Sequence, residues 1–141
     1  MEAGSWASSA SVRRAMQSNR SRDTTPELAL RSRLHRLGLR FRVCTRPLPE
    51  ERLTADIVFR PARVAVQLNG CFWHGCPEHY TPPKTNPGFW SKKVAHNRAR
   101  DLRQQEALLA AGWALIIVWE HQDLDAAALD IADCVQDRRA R

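Results

Sequence analysis

Residues 56–68 read DIVFRPARVAVQL, two short apolar runs on either side of a polar turn. The runs, residues 56–59 and 64–68, are rich in the β-branched residues that favour strands. The four residues between them include Pro61, which is typical of a turn. The stretch therefore predicts a β-hairpin whose first strand begins with a carboxylate.

A helix and a strand are predicted before the hairpin. Leucines recur there at helical spacing, and Thr25 can cap the helix with Pro26 at its first position. Alternatively, Thr24 and Glu27 can form a capping box. Apolar and arginine residues then alternate over residues 39–43, which predicts a strand with one polar face.

Downstream of the hairpin, residues 71–88 are dense in Gly, Pro, Cys and His and show no periodicity, which predicts a loop. A long helix is predicted over about residues 86–112, a buried strand over residues 113–119 and a last helix over residues 125–135. The predicted order is αβββαβα. This order indicates an α/β fold with a central mixed sheet flanked by helices.

The chain has 141 residues, 43% of them hydrophobic, and a formal net charge of +7. This length predicts one domain with its own hydrophobic core, over residues 21–141. Residues 1–20 lack apolar periodicity and predict a flexible basic N-terminal arm. No signal-peptide pattern opens the chain and no apolar run is long enough to span a bilayer, so we expect a soluble, cytoplasmic protein that does not associate with membranes.

Positive charge is concentrated in residues 1–103, which contain 19 basic and 8 acidic side chains, against 3 and 7 in residues 104–141. Such an asymmetry indicates a surface that binds a polyanion such as nucleic acid. Charge alone is equally compatible with solvated surface arginines.

The densest chemical signal is CFWHGCPEH, residues 71–79. Three of its side chains have the short spacing of a tetrahedral zinc site: Cys71, Cys76 and His79. His121, directly after the last predicted strand, is the best remote candidate for a fourth ligand. A structural zinc ion explains how an aperiodic loop is held in place. The alternatives are two reduced thiols with surface imidazoles, or His74 as a ligand in place of His79.

Other residues are candidates for binding a metal ion, activating water and contacting nucleic acid. Asp56 opens an apolar strand, a position typical of a Mg²⁺ ligand, although a turn or an ion pair also explains it. The unperturbed pKa of an imidazole lies near neutrality, so His74 is a candidate for activating water. Aromatic pairs at residues 72–73 and 89–90 flank the loop, where they can wedge between DNA bases or pack in the core.

Together these features resemble the very-short-patch-repair (Vsr) mismatch endonucleases. The resemblance covers about residues 11–135, and its motifs are Asp56 and residues 69–79, 83–86, 89–90 and 112–121. It implies a restriction-endonuclease-like fold of the PD-(D/E)XK type. It also implies an enzyme that nicks one strand of double-stranded DNA beside the thymine of a T·G mismatch left by deamination of 5-methylcytosine. The expected setting is a monomer at the bacterial nucleoid, with mismatch-repair recognition proteins as candidate partners.

The resemblance also assigns roles to single residues. Asp56 corresponds to the carboxylate that binds Mg²⁺, with the backbone carbonyl of Leu68 as a second ligand. His74 matches the catalytic histidine, and Glu27 matches the acidic residue that orients water at the metal. The structural zinc set is Cys71, Cys76, His79 and His121. The intercalating rings are Phe72, Trp73 and Trp90. Phosphate contacts are expected from Arg14, Lys84, Lys92 and Lys93.

Asn69 departs from the family pattern, in which this catalytic position is His or Asp. An amide can neither donate nor accept a proton as an acid or base does, so the substitution predicts a slow enzyme or altered metal use. Two further functions stay open at this point. One is a site-specific nuclease of a restriction or defence system with the same fold, and the other is a zinc-stabilised DNA-binding module without catalysis.

Overall fold

The structure is a computed structural model that describes residues 23–71, 75–76, 78 and 84–140. Its elements are α1 (Thr25–Arg36), β1 (Arg42–Thr45), β2 (Ala55–Phe59), β3 (Val64–Asn69), α2 (Pro87–Ala110), β4 (Ala114–Trp119) and α3 (Leu124–Arg139). The predicted αβββαβα order is confirmed. The predicted arm, residues 1–20, lies outside the described residues. None of the helices in the described part of the chain combines the length and the apolar character that a membrane span needs.

The strands form one mixed sheet in the order β1-β2-β3-β4. β2 and β3 form the predicted antiparallel hairpin, and β1 adds antiparallel to β2. β4 pairs parallel to β3, with Asn69 opposite Trp119. A parallel pair needs a crossover connection, and α2 lies within it. The last residues of β3 and β4 therefore lie side by side, at the end of the sheet where β2 begins.

Helices pack against both faces of the sheet. On one face, Ile131 of α3 and leucines of α1 belong to the same buried cluster as Ile57 and Val66. On the other face, Leu108 of α2 shares a second cluster with Val58. Burial of these apolar side chains on both faces explains why residues 57–59 and 64–66 of the hairpin are all apolar.

The first strand is shorter than predicted. It begins at Arg42 instead of Leu39, although the alternation of apolar and arginine residues starts at Leu39. Leu39 is buried in the core, and the ring of Phe41 stacks on His35 with 4.6 Å between ring centroids. These two residues therefore pack against α1 and the core without extending the ladder.

The last strand and the last helix also differ from expectation. Most of β4 is half-buried, because it lies at the edge of the sheet. α3 runs to Arg139, four residues beyond the predicted end at residue 135. Arg138 in its last turn donates hydrogen bonds to the carbonyls of Ala62 and Gly112. These bonds hold the end of the helix against two turns of the sheet.

The start of α1 matches neither predicted cap. Thr24 occupies the N-cap position, but its side chain makes no capping hydrogen bond. The carboxylate of Glu27 instead accepts a hydrogen bond of 2.8 Å from the backbone N–H of Asp23. The glutamate thus reaches back one residue further than in a capping box.

Candidate active site

Asp56 lies where the backbone ladder between β2 and β3 stops, just beyond the pair of Ile57 and Val66. Its Oδ2 accepts a hydrogen bond of 2.7 Å from the backbone N–H of Leu68. Its own N–H donates to Oε1 of Gln67 at 3.0 Å. β3 therefore holds both the backbone and the carboxylate of Asp56 at the end of the sheet.

The backbone carbonyl of Leu68 points towards the same space as this carboxylate. The N–H and C=O of one strand residue face the same neighbouring strand, and this direction alternates along the strand. The N–H of Leu68 reaches Asp56 on β2, whereas the carbonyl of Asn69 accepts from the N–H of Glu120 at 3.0 Å. The two oxygens assigned to Mg²⁺ by resemblance, from Asp56 and Leu68, are thus neighbours.

Asn69 adds a buried oxygen to this end of the sheet. The residue is 3% exposed, and its Oδ1 has no hydrogen-bond partner in the described part of the chain. A buried acceptor without a donor is costly, so this atom indicates a place for an incoming donor or cation. A carboxylate, a backbone carbonyl and an amide are the oxygen ligands that Mg²⁺ prefers, and the residues present fit that ion.

A second group of ligand atoms lies where β3 and β4 end. Nδ1 of His121 is 3.2 Å from Sγ of Cys71 and 3.8 Å from Sγ of Cys76, and the three ligand atoms lie within 4.8 Å of one another. The register explains their meeting, because Asn69 pairs with Trp119 and each strand continues two residues further to its ligand. Two thiols and an imidazole are typical zinc ligands.

Two glutamates hold these ligands. Oε1 of Glu120 accepts a hydrogen bond of 2.9 Å from the N–H of Cys71, and Oε2 of Glu78 lies 3.7 Å from Nε2 of His121. A carboxylate in that position orients the histidine ring at a metal. Burial and, to a smaller extent, the hydrogen bond to Cys76 together raise the pKa of the Cys71 thiol to about 12. A metal ion would offset this effect, because a coordinated thiol is deprotonated.

Gly75, in the loop that carries these ligands, packs closely against α2. Its φ is +61°, and a Cβ atom there would lie 2.8 Å from Cγ1 of Val94. We expect Gly75→Ala to lower the free energy of unfolding by about 2–3 kcal/mol, from overpacking and the left-handed backbone together. Gly88→Ala is the matched control, since nothing lies within 4 Å of a Cβ at that position. Urea unfolding measures both variants, and equal stability of the two would refute the close packing.

Glu27 does not stand free to orient water. Its carboxylate accepts a bond of 3.2 Å from Arg31, which also pairs with Asp23 at 2.6 Å. Cys44 completes this group, with ligand atoms within 4.8 Å of one another. The guanidinium of Arg31 already supplies the positive charge that a metal ion would bring. The group is therefore an ion-pair cluster. It borders the candidate site, because Cys44 faces Asp56 in the register of β1 and β2.

Trp90, one of the rings predicted to intercalate, is buried in the structure. The residue is 3% exposed, which does not fit a ring that must stack on a DNA base. It belongs to the buried face of α2 together with Val94 and Leu108. Its neighbour Phe89 is 41% exposed and packs edge-on against it, with 4.9 Å between ring centroids. Phe89 is therefore the ring of this pair that is available to DNA.

The three lysines expected to contact phosphate lie in the first two turns of α2 or just before its start. Lys84 and Lys92 are exposed, and Lys93 is half-buried. Five other predicted site residues lie outside the described residues: Arg14, Phe72, Trp73, His74 and His79.

Sequence reasoning did not single out Gln67 or Gln104. Gln104 is 4% exposed and lies on the buried face of α2, near Leu108. A polar residue within an apolar helical stripe was the signal that could have identified it.

Comparison with known proteins places the chain among DNA-cleaving enzymes. Residues 8–79 match the family described as DNA mismatch endonuclease Vsr. The chain is 43% identical over 122 residues to type II nicking enzyme V.NaeI of Lentzea aerocolonigenes, covering 85% of this chain and 74% of the relative. It is 44% identical over 117 residues to type II nicking enzyme V.XorIIP of Xanthomonas oryzae pv. oryzae, covering 82% and 83%. Identity to DNA mismatch endonuclease Vsr of Escherichia coli (strain K12) is 37% over 106 residues, covering 74% and 66%.

Proposed function

The chain belongs to the Vsr family and is a DNA endonuclease, and from this premise we propose that it nicks one strand of duplex DNA beside the thymine of a T·G mismatch. The observation that carries the proposal is the hydrogen bond of 2.7 Å by which the backbone N–H of Leu68 holds the Asp56 carboxylate at one end of the sheet. The mixed sheet flanked by helices also supports a restriction-endonuclease-like core of the PD-(D/E)XK type.

Endonucleases of this family are metal-dependent, and we assign Mg²⁺ to the oxygen ligands at Asp56. Asp56 and the carbonyl of Leu68 would hold the ion. When bound, Mg²⁺ stabilises negative charge on the phosphate that is cleaved. Asp56 is suited to this role because its position is fixed through two contacts with β3.

His74 is the proposed general base, because an imidazole accepts a proton from water near neutral pH. Asn69 holds a water molecule through its buried Oδ1 but cannot take its proton, so we expect a slower reaction than with an acid or base at this position. The cluster of Glu27 and Arg31 lies at the border of the site, where Cys44 faces Asp56 in the register of β1 and β2.

A structural zinc ion is proposed at Cys71, Cys76 and His121, with His79 as the fourth ligand. The three described ligands lie directly after β3 and β4, beside the oxygen ligands of Asp56 and Leu68. Zinc there would anchor the segment that carries His74, which lies between β3 and α2 in the sequence. The two sites differ in ligand chemistry, because sulfur and imidazole select zinc and oxygen selects Mg²⁺.

DNA binding is assigned to the basic surface and the exposed rings. Contacts to phosphate would come from Arg14, Lys84, Lys92 and Lys93. Phe72 and Trp73 are proposed to wedge beside the mismatch, and Phe89 takes the part first given to Trp90. We further propose that the protein acts as a monomer at the bacterial nucleoid, with mismatch-repair recognition proteins as partners.

The proposal is tested with three duplexes that differ at one base pair, T·G, U·G or C·G, each incubated with protein and Mg²⁺. We expect the T·G duplex to be nicked at least about tenfold faster than the C·G duplex, because a mismatch costs less to deform. Equal rates on both duplexes would contradict mismatch specificity.

A second candidate is a nicking enzyme that cuts a fixed sequence in matched DNA. The relatives described as type II nicking enzymes favour it. Nicking of the C·G duplex at one sequence, at the rate of the T·G duplex, would establish this second function in place of the first.

A further inference from the structure

A series of three hydrogen bonds connects the C-terminal half of α2 to the strand that carries Asp56. The N–H of Asp56 donates to Oε1 of Gln67 at 3.0 Å. Nε2 of Gln67 donates to Oε1 of Gln104 at 3.4 Å, and Nε2 of Gln104 donates to the carbonyl of Thr54 at 3.0 Å. This series of hydrogen bonds begins at Asp56 and ends at Thr54, two residues earlier in the sequence. We call the side chains of Gln67 and Gln104 the amide relay.

The relay replaces backbone pairing at the end of the hairpin. Paired residues of β2 and β3 extend only to Ile57 and Val66, so on the β3 side the segment from Thr54 to Asp56 is held by side chains, whereas on the other side Ala55 pairs with Thr45 of β1. On the β3 side the backbone pairs do not continue past Ile57 and Val66. The amide relay instead fixes this segment while the carboxylate of Asp56 bonds to the N–H of Leu68.

Gln104 is an unusual residue for its position. It is 4% exposed on a helix face whose other buried residues are Trp90, Val94 and Leu108. An amide buried among apolar side chains adds little stability even when it is fully bonded, and an apolar side chain of similar size would fill the same space. Its two hydrogen bonds give conformational specificity to Thr54 and Gln67.

We infer that Gln67 and Gln104 are positioning residues that set the affinity of the Asp56 site for Mg²⁺. This inference deepens the proposed function and rests on it. Loss of the relay would remove the side-chain bonds to the carbonyl of Thr54 and the N–H of Asp56, and the carboxylate would be held less firmly at the N–H of Leu68. Groups that orient a metal ligand affect metal affinity or activity by about 10–100-fold in known sites.

The test replaces Gln104 by methionine, which is close in volume and forms no comparable hydrogen bonds. We expect the Mg²⁺ concentration for half-maximal nicking of a T·G duplex to rise about tenfold or more, while the Kd for that duplex without Mg²⁺ stays unchanged. Gln105→Met is the matched control, since Gln105 is the next residue of α2 and is exposed. It should show the Mg²⁺ dependence of the unchanged protein.

Gln67→Met tests the same relay from the sheet and serves if Gln104→Met does not fold. Because the two amides act in series, the double variant should be no worse than the poorer single variant. Unchanged Mg²⁺ dependence in both single variants, or additive effects in the double variant, would overturn the inference.

Calorimetry of Mg²⁺ binding to the protein–duplex complex separates this inference from the proposed function. Weaker Mg²⁺ binding in Gln104→Met supports the relay even if the unchanged protein nicks no duplex, a result that would refute only the proposed function. Equal Mg²⁺ binding in the two proteins would refute the relay even if both nick DNA.

Discussion

Replacing Asp56 by asparagine should lower the nicking rate on a T·G duplex by about a thousandfold or more. An ion that stabilises a transition state contributes several kcal/mol, and about 4 kcal/mol corresponds to a factor of about a thousand. Asparagine keeps an oxygen that can accept the hydrogen bond from the N–H of Leu68, found here at 2.7 Å. The change therefore removes the charge and leaves the strand contact. Single-turnover nicking with saturating Mg²⁺ measures the effect.

The matched control for this variant is Asp130→Asn, which removes an exposed carboxylate from α3. It should nick at the unchanged rate. Asp56→Asn should also bind the duplex without Mg²⁺ at least as tightly as the unchanged protein, because a negative charge near phosphate is lost. A nicking rate for Asp56→Asn within about tenfold of the unchanged rate would show that Asp56 does not hold the catalytic ion.

The second large effect is expected at the proposed zinc site. Purified protein should contain about one zinc ion per chain, and Cys76→Ser should lose it. Structural zinc contributes on the order of 10 kcal/mol in the smallest zinc domains. Here the sheet has apolar clusters on both faces, so we expect a smaller loss of about 3 kcal/mol or more and a Tm lower by about 10 °C. Metal analysis and thermal unfolding measure the two effects.

Cys134→Ala is the control for the zinc prediction. Cys134 is a half-buried free thiol of α3, and it packs against the core on the α1 and α3 face. This variant should retain its zinc whatever small change in Tm follows from the altered packing. If the purified protein contains no zinc and Cys76→Ser leaves the Tm unchanged, the protein has no structural zinc ion.

The hairpin and the meeting of the ligands could be predicted because both depend on local pattern. Two apolar runs around a turn specify β2 and β3 whatever surrounds them. A strand at residues 113–119, following a helical crossover, then places His121 near the residues after β3, where Cys71 lies. Spacing in the sequence did not predict the register of β3 and β4, in which Asn69 pairs with Trp119. Cys71 and His121 each lie two residues beyond this pair.

Features that depend on how helices pack could not be predicted from local pattern. The burial of Trp90 follows from the face that α2 turns to the sheet, and adjacent aromatic residues give no sign of which one is buried. The bond of Glu27 to Arg31 competes with its use as a cap or as a catalytic group. The amide relay joins residues 37 positions apart, and only the packed helix brings them together.

Mapping the cut shows whether this endonuclease nicks the thymine strand of a T·G mismatch. A T·G duplex is labelled at the 5′ end of one strand or of the other, and incubated with protein and Mg²⁺. The account predicts one labelled product, from the strand that contains the mismatched thymine, with the cut beside that base and the guanine strand intact. Cleavage of the guanine strand, or an equal cut at the same place when the pair is C·G, would contradict it.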